Sequence, residues 1–408
     1  WWPDEAEAAA LVCRVRSLSR LGSPAMTVIE RAPLRQRLRP WVIGFDVPLL
    51  IAVLWIGVWG LLCMYSAGYD HGTRFGDHAR NMLLAWGLML VVAQVPPQRL
   101  MALAIPLYSL GVLLLLATLA FGITKKGATR WLNVGLVIQP SELLKLATPL
   151  MLAWWFQKRE GVLRWTDFVA AFGLLLLPFL LIAKQPDLGT GLLVLAGGLY
   201  VIFFAGLSWR LVIPFLVVGV IGITAIVLSE DHICQDEVTW PLLKPYQKHR
   251  VCTLLDPSKD PLGKGFHIIQ GEIAIGSGGV TGKGLMQGTQ THLEFIPERT
   301  TDFIFAAFGE EFGLLGALAL MAGYTALILR GLMIAAAAPT LFSRLMAGAV
   351  TLSFFTYVFV NMGMVSGILP VVGVPLPFVS YGGTAMVTLG LSLGLLLSIG
   401  RVKKLVKT

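Results

Sequence analysis

His292-Leu-Glu-Phe-Ile-Pro-Glu-Arg-Thr-Thr-Asp-Phe-Ile-Phe-Ala-Ala-Phe-Gly-Glu-Glu-Phe-Gly313 joins a long polar segment to a long apolar one. Glu294, Glu298, Arg299, Asp302, Glu310 and Glu311 crowd into this boundary. From Phe303 the chain runs on to Arg330, long enough to cross a hydrocarbon layer of ~30 Å as a helix. Charge is expensive at a membrane boundary unless something there uses it. The acid at position 302 is therefore the first residue that needs a reason.

The rest of the chain repeats the apolar half of this pattern. Of 408 residues 56% are hydrophobic and only 13% charged, whereas a soluble domain is nearer a quarter charged. Ten apolar spans follow from the sequence, at about 47–67, 79–95, 100–122, 141–157, 167–183, 189–206, 209–228, 303–330, 344–366 and 379–400. Runs of this length predict an all-α polytopic membrane protein; a membrane β-barrel would show alternating segments of ~10 residues. Residues 229–302 are too polar to span and too long for a turn, so they form one large loop. The domain reading is a basic arm over 1–46, a membrane domain over 47–400 and a basic tail over 401–408. Met26 sits where a more ordinary start would lie, which makes residues 1–25 a candidate upstream extension.

The formal net charge of +9 is read as topology rather than as nucleic-acid binding. With the N-terminus inside, the inner segments hold eighteen Lys and Arg against six in the short outer loops. That bias predicts both termini in the cytoplasm and the large loop outside. The four cysteines, at 13, 63, 234 and 252, have no metal-site spacing.

Polar residues gather at the outer ends of the spans. Arg130, Gln139 and Glu142 lie in or beside the loop 123–140, and Lys145 is one turn beyond Glu142. Glu142 and Lys145 read either as an ion pair on one helix face or as a cation held for an anionic substrate. Asp187 reads either as a helix cap or as a site carboxylate. In the large loop, Phe266, Ile269 and Ile273 have helical spacing and predict a short interfacial helix. Gly276-Ser-Gly-Gly-Val-Thr-Gly-Lys-Gly284 reads as a flexible loop or, with Lys283, as a phosphate cradle. From Asn361 to Ala385, three prolines and several glycines imply non-helical backbone around a cavity.

Several of these stretches together resemble the SEDS family of membrane proteins, in its RodA-type cell-elongation branch. They are Arg130-Trp-Leu132, Gln139-Pro-Ser-Glu142, Gln185-Pro-Asp-Leu-Gly-Thr190, Asp256-Pro257, Ile275-Gly-Ser-Gly-Gly279, Phe295-Ile-Pro-Glu-Arg-Thr-Thr-Asp-Phe303 and the Asn361–Ala385 segment with Ser380-Tyr-Gly-Gly-Thr-Ala385. The resemblance covers roughly residues 40–400. It implies a peptidoglycan glycosyltransferase of the bacterial cytoplasmic (inner) membrane that polymerises lipid II, a disaccharide-pentapeptide on undecaprenyl pyrophosphate. It also implies a class B penicillin-binding protein as partner, together with other elongation-complex proteins. The large loop and a neighbouring helix face are expected to contact that transpeptidase.

The resemblance places the catalytic acid at Asp302. Substrate-binding candidates are Lys145, Arg130, Glu142, Asp187, Gln139, Glu298 and Ser380. In this reading Asp302 takes the proton of the attacking sugar hydroxyl, and Lys145 and Arg130 meet the pyrophosphate. Glu142 and Asp187 either position the lysine or hold a divalent cation, magnesium or manganese; their residue types suit both roles. The competing classes are a lipid II flippase and a non-catalytic scaffold that activates the transpeptidase. One departure from the family is an apparent insert between Ser229 and Tyr246. Cys234 and Cys252 flank it, and outside the membrane they either bridge or stay free thiols.

Overall fold

The computed structural model describes residues 44–406 apart from 71, 126–127, 134, 136, 236–237, 239, 241–244, 261–262 and 297. Almost all of the basic arm, including residues 1–25, lies outside the described residues, as does the end of the tail. A helix stands at each of the ten expected positions. In chain order they are α1 (Val47–Ala67), α2 (Arg74–Val92), the short α3 (Pro97–Ala102), α4 (Ala104–Phe121), α5 (Pro140–Gln157), α6 (Trp165–Lys184), α7 (Leu188–Phe204) and α8 (Trp209–Leu228). The loop adds α9 (Glu230–Ile233), α10 (Pro245–Leu255), α11 (Lys264–Gly278) and α12 (Thr289–His292), before α13 (Ile304–Ala336), α14 (Leu341–Val365) and α15 (Gly383–Val406).

Seven of these, α1, α4, α6, α8, α13, α14 and α15, are long and apolar enough to cross a membrane by length and composition. The chain is thus a multi-pass membrane protein. Helix α7 is equally apolar but shorter, while α2 and α5 carry charged residues in their first turns, Asp77 and Glu142.

Local signals set the helix ends. Asp46 caps α1 by accepting a hydrogen bond from Leu49 N at 3.2 Å, with Pro48 in the first turn. The Asp46 carboxylate also takes both Nε and Nη2 of Arg330 at 2.8 Å, so the start of α1 is locked to α13. Asp187 accepts from Thr190 N and starts α7, as the capping reading expects. Helix α13 lies at the centre, against α1, α14 and α11; α5 packs on α4, α7 and α14, and α15 packs along α2. Ile56, Phe308, Tyr324 and Phe354 are fully buried at these contacts. Helix α8 stands apart: none of its residues is buried among the described residues.

Three features depart from the expectations. Residues 123–138 contain a small antiparallel sheet of β1 (Ile123–Lys125), β2 (Ala128–Asn133) and β3 (Val137–Ile138), with Thr124 opposite Thr129 and Leu132 opposite Ile138. Its strands pair the loop's own backbone groups with no help from neighbouring helices. Secondly, the packed face of α11 is Ile268, Gly271, Ala274 and Gly278, all buried, while Ile273 is exposed. The expected interfacial helix is present, with Phe266, Ile269 and Ile273 on a face beside this packed one; the packed face itself is the new feature. Small side chains let α11 approach α13 closely, as in membrane-helix pairs. The third departure concerns residues 276–284, which neither dangle nor offer a free cradle. Lys283 N and Gly284 N donate to the carbonyls of Glu310 and Glu311, and Leu314 N and Leu315 N donate back to Gly279 and Val280. This exchange is possible because α13 breaks at Gly313, which has φ 61° and ψ −162°, a conformation that glycine alone adopts without strain.

Cys234 and Cys252 form a disulfide with Cα atoms 5.6 Å apart. The described part of the insert is held beside the bridge by Trp240 Nε1 donating to Ile233 O at 2.9 Å and Lys248 Nζ donating to Val238 O at 2.8 Å.

Candidate functional site

The helix ends that carry the large loop gather the polar residues. Asp302 precedes α13, whose cap position belongs to Phe303. The turn before it is closed by Thr301 N and Phe303 N, which donate to Glu298 O at 3.0 and 3.2 Å. Thr301 Oγ1 also donates to the Glu298 carboxylate at 2.6 Å, so Glu298 braces the turn that presents Asp302.

Two side chains pin the same turn from the other side. Asn361, fully buried in α14, donates through Nδ2 to Asp302 O at 2.9 Å and to Val374 O at 2.7 Å. One amide thereby holds the Asp302 turn and the proline-glycine segment 370–377 at a fixed separation. Ser380, also buried, donates to Thr301 O and accepts from Leu376 N, both at 2.7 Å. Its hydroxyl is used in both directions, which makes Ser380 a brace for the turn rather than a group aimed at a ligand. Tyr324 Oη adds a third fastening to Pro377 O at 2.7 Å. Gly373 adopts φ 75°, and a Cβ there would lie 3.2 Å from Asp302 Oδ2. Glycine therefore supplies both the backbone turn and the room for the carboxylate.

The remaining candidates fall into two groups. Lys145 and Glu142 are paired at 2.7 Å within α5, their side chains only 7% and 12% exposed. The Lys145 ammonium also stands 5.3 Å from the Tyr357 ring centroid. Tyr357 is one helical turn from Asn361 on α14, so a single helix face connects the Lys145 pair to the Asp302 turn. In the second group Asp187 accepts from Gln139 Nε2 at 2.8 Å and pairs with Arg130 Nη1 at 3.4 Å. This group reaches the segment 370–377, and with it the surroundings of Asp302, through Gly189, whose backbone packs on the carbonyl of Val372.

Oxygen donors suit a hard cation, but Asp187 already holds Arg130 and Gln139, and one Glu142 oxygen holds Lys145. The other Glu142 oxygen is buried with no partner. No group of three His, Cys, Asp or Glu converges among the described residues. As arranged, these residues do not fit a divalent metal, and no step is drawn through one.

The structure also brings in residues that sequence reasoning passed over. Arg299 is buried, donates to Ala67 O at 3.2 Å and pairs with Asp70, clamping the turn 296–301 to the end of α1. The fully buried Glu310 accepts from Lys283, Thr289, Gln290 and Thr291. Tyr357 and Arg74 join the site through Lys145 and through Thr300. For Glu310 and Tyr357 the signal is a polar or charged residue inside an apolar span, which membrane energetics flags by default; Arg74 and Arg299 lie outside the spans and carry no such signal.

Comparison with known proteins places this geometry in context. The FtsW/RodA/SpoVE cell cycle protein model matches residues 46–405. The chain is 48% identical over 369 residues to the peptidoglycan glycosyltransferase MrdB of Escherichia coli K12, covering 89% of this chain and 95% of that protein. It is 32% identical to the peptidoglycan glycosyltransferase RodA of Treponema pallidum, covering 88% and 98%. Among solved structures it resembles a chain of a peptidoglycan synthase complex that coordinates polymerization and crosslinking, with TM-score 0.72, 32% identity and coverage of 88% and 99%. It also resembles the rod shape determining protein RodA of Thermus thermophilus, with TM-score 0.65, 28% identity and coverage of 89% and 98%.

Proposed function

The chain belongs to the FtsW/RodA/SpoVE family, and from that premise we propose that it is a peptidoglycan glycosyltransferase that polymerises lipid II, with Asp302 as its general base. The observation that carries the assignment of Asp302 is the turn built around it. Asn361 and Ser380 hold its backbone, and the glycine at 373 leaves its carboxylate room. Positioning of this kind is what a general base needs.

In the proposed reaction the Asp302 carboxylate accepts the proton of a sugar hydroxyl as that oxygen attacks an anomeric carbon. The bond from that carbon to the lipid pyrophosphate breaks, and the pyrophosphate leaves with the bonding pair. Lys145 and Arg130 stabilise the departing charge. Glu142 and Tyr357 hold Lys145, and Gln139 and Asp187 hold Arg130.

The partner is proposed to be a class B penicillin-binding protein, with other elongation-complex proteins, in cell elongation and rod-shape maintenance. The likeness to a chain of a synthase complex that couples polymerization to crosslinking supports this. The membrane is proposed to be the bacterial cytoplasmic (inner) membrane, with both termini inside and the loop outside. The Lys and Arg bias supports that orientation, as does the Cys234–Cys252 bridge, since disulfides persist in oxidising compartments.

The test is polymerisation of purified lipid II by the full chain with its transpeptidase. Asp302→Asn keeps the size and the hydrogen-bonding shape but loses the base. Glycan synthesis should fall ~100-fold or more while the fold and membrane insertion persist. A folded Asp302→Asn protein that polymerises near the normal rate would remove Asp302 from the chemistry.

A further inference from the structure

Four cations are tied to the surroundings of Asp302, and three of them have a carboxylate. Lys145 has Glu142 at 2.7 Å, Arg130 has Asp187 at 3.4 Å, and Arg299 has Asp70. Arg74 is different. It stands in the first turn of α2, half-buried, and no carboxylate among the described residues pairs with it. One Nη donates to Thr300 Oγ1, and the guanidinium lies 5.4 Å from the Tyr381 ring centroid. Thr300 is buried, and its carbonyl accepts from Tyr381 N at 2.8 Å. Arg74, Tyr381 and the residue two before Asp302 therefore form one cluster.

A guanidinium carries five N–H donors in a planar fork suited to phosphate and carboxylate. Thr300 uses one edge of it, and the aromatic ring fixes its plane without neutralising it. A half-buried cation without a counter-ion is costly at a membrane end. A substrate that brings its own negative charge would offset that cost.

We infer that Arg74 is a further substrate-binding residue, holding an oxyanion of the lipid-linked substrate beside the Asp302 turn. The inference rests on the polymerase reading above. Lipid II offers that chemistry in two places, the pyrophosphate and the carboxylates of the peptide, and the test separates them.

Polymerisation rates are measured against lipid II concentration for the full chain with its transpeptidase, for wild type, Arg74→Gln, Arg74→Lys and Thr300→Val. Each protein is first checked by gel filtration and thermal denaturation. Arg74→Gln should raise KM about tenfold or more and leave kcat within about threefold, the pattern for lost ground-state binding. Arg74→Lys, which keeps the charge but not the fork, should recover part of the loss. If the pyrophosphate is the ligand, Arg74→Gln should also raise the inhibition constant of inorganic pyrophosphate by a similar factor. If a peptide carboxylate is the ligand, pyrophosphate inhibition should be unchanged, and lipid II with amidated peptide carboxylates should show equal KM for wild type and variant. An unchanged KM in Arg74→Gln, with only kcat or thermal stability reduced, overturns the inference and leaves Arg74 as a brace for Thr300. So does a rise in KM for Thr300→Val as large as that for Arg74→Gln. A wild-type protein that makes no glycan overturns the polymerase reading itself, and the inference with it.

Discussion

Replacing Glu310 by alanine should release the glycine-rich segment from the break in α13, at a cost of about 2–6 kcal/mol for two buried backbone donors left unsatisfied. The estimate follows from its contacts. The fully buried carboxylate accepts from Lys283 Nζ at 2.7 Å, Thr289 Oγ1 at 3.0 Å, Gln290 N at 2.8 Å, and Thr291 N and Oγ1 at 3.1 and 2.9 Å. Lys283, with its side chain 26% exposed, can turn to water when the acid is lost. The backbone amides of Gln290 and Thr291 have less freedom to do so, and an unsatisfied buried donor costs about 1–3 kcal/mol. The reverse change is milder. Lys283→Met leaves the carboxylate four donors, so it should cost about 1.5–3 kcal/mol, the value of a single hydrogen bond to a charged group. The predicted asymmetry is thus Glu310→Ala above Lys283→Met. Thermal denaturation of the purified full chain reads the order, and limited proteolysis around residues 280–293 reads the location. Polymerisation should fall in Glu310→Ala as well, because the released segment leads directly into the Asp302 turn. Equal losses of thermal stability, or a larger loss in Lys283→Met, would refute the idea that the backbone donors carry the clasp.

Two further outcomes follow from the same geometry. Changing Cys234 and Cys252 to serine reopens a loop of sequence separation 18, a loss of about 3 kcal/mol of loop constraint; residues 229–260 should become protease-sensitive while polymerisation persists, and an unchanged digestion pattern would count against the bridge as a local staple. Asn361→Leu removes the donor shared by Asp302 O and Val374 O, leaving two buried carbonyls at about 1–3 kcal/mol each. That change should lower kcat more than it changes KM, and an unaltered kcat would show that Asn361 does not position the base.

The helices were legible because their ends carry local instructions. Pro140 at the start of α5, Ser208 before α8 and Asp187 before α7 all act within four residues of themselves. Arg330 shows where this reading stops. A charge in an apolar run looks like an inner boundary, yet α13 continues to Ala336, because Asp46 neutralises Arg330 from a helix 284 residues away. The spacing of Phe266, Ile269 and Ile273 gives the helix α11 but not the face by which it packs on α13. Counting large apolar side chains favours Phe266 and Ile273, whereas close helix contact favours Gly271, Ala274 and Gly278, whose lack of bulk is what packs. The glycine-rich segment was ambiguous because its free amides suit a phosphate as well as a backbone. Only the break at Gly313 decides in favour of the carbonyls of Glu310 and Glu311. In the candidate site, the motifs supply the acid and the cations. The sharing of Asn361 between two carbonyls is a relation among three distant segments, and no single stretch encodes it.

The same distribution of polar groups weighs against a flippase. A transporter for a pyrophosphate-linked sugar needs polar or hydrated surface along the whole crossing, since charge within hydrocarbon is costly. Beside Lys145 there is a cavity of about 20 Å³ lined by Lys145, Ser353, Tyr357, Thr388 and Ser392 among apolar neighbours, roughly the room for one water. Three of its four hydroxyls are committed within their own helices: Ser353 Oγ donates to Ala349 O, Thr388 Oγ1 to Thr384 O and Ser392 Oγ to Thr388 O. No charged residue other than Lys145 lines that cavity. On the proposed reading, a headgroup bound beside Lys145 and Asp302 reacts at that end of the bundle instead of crossing it.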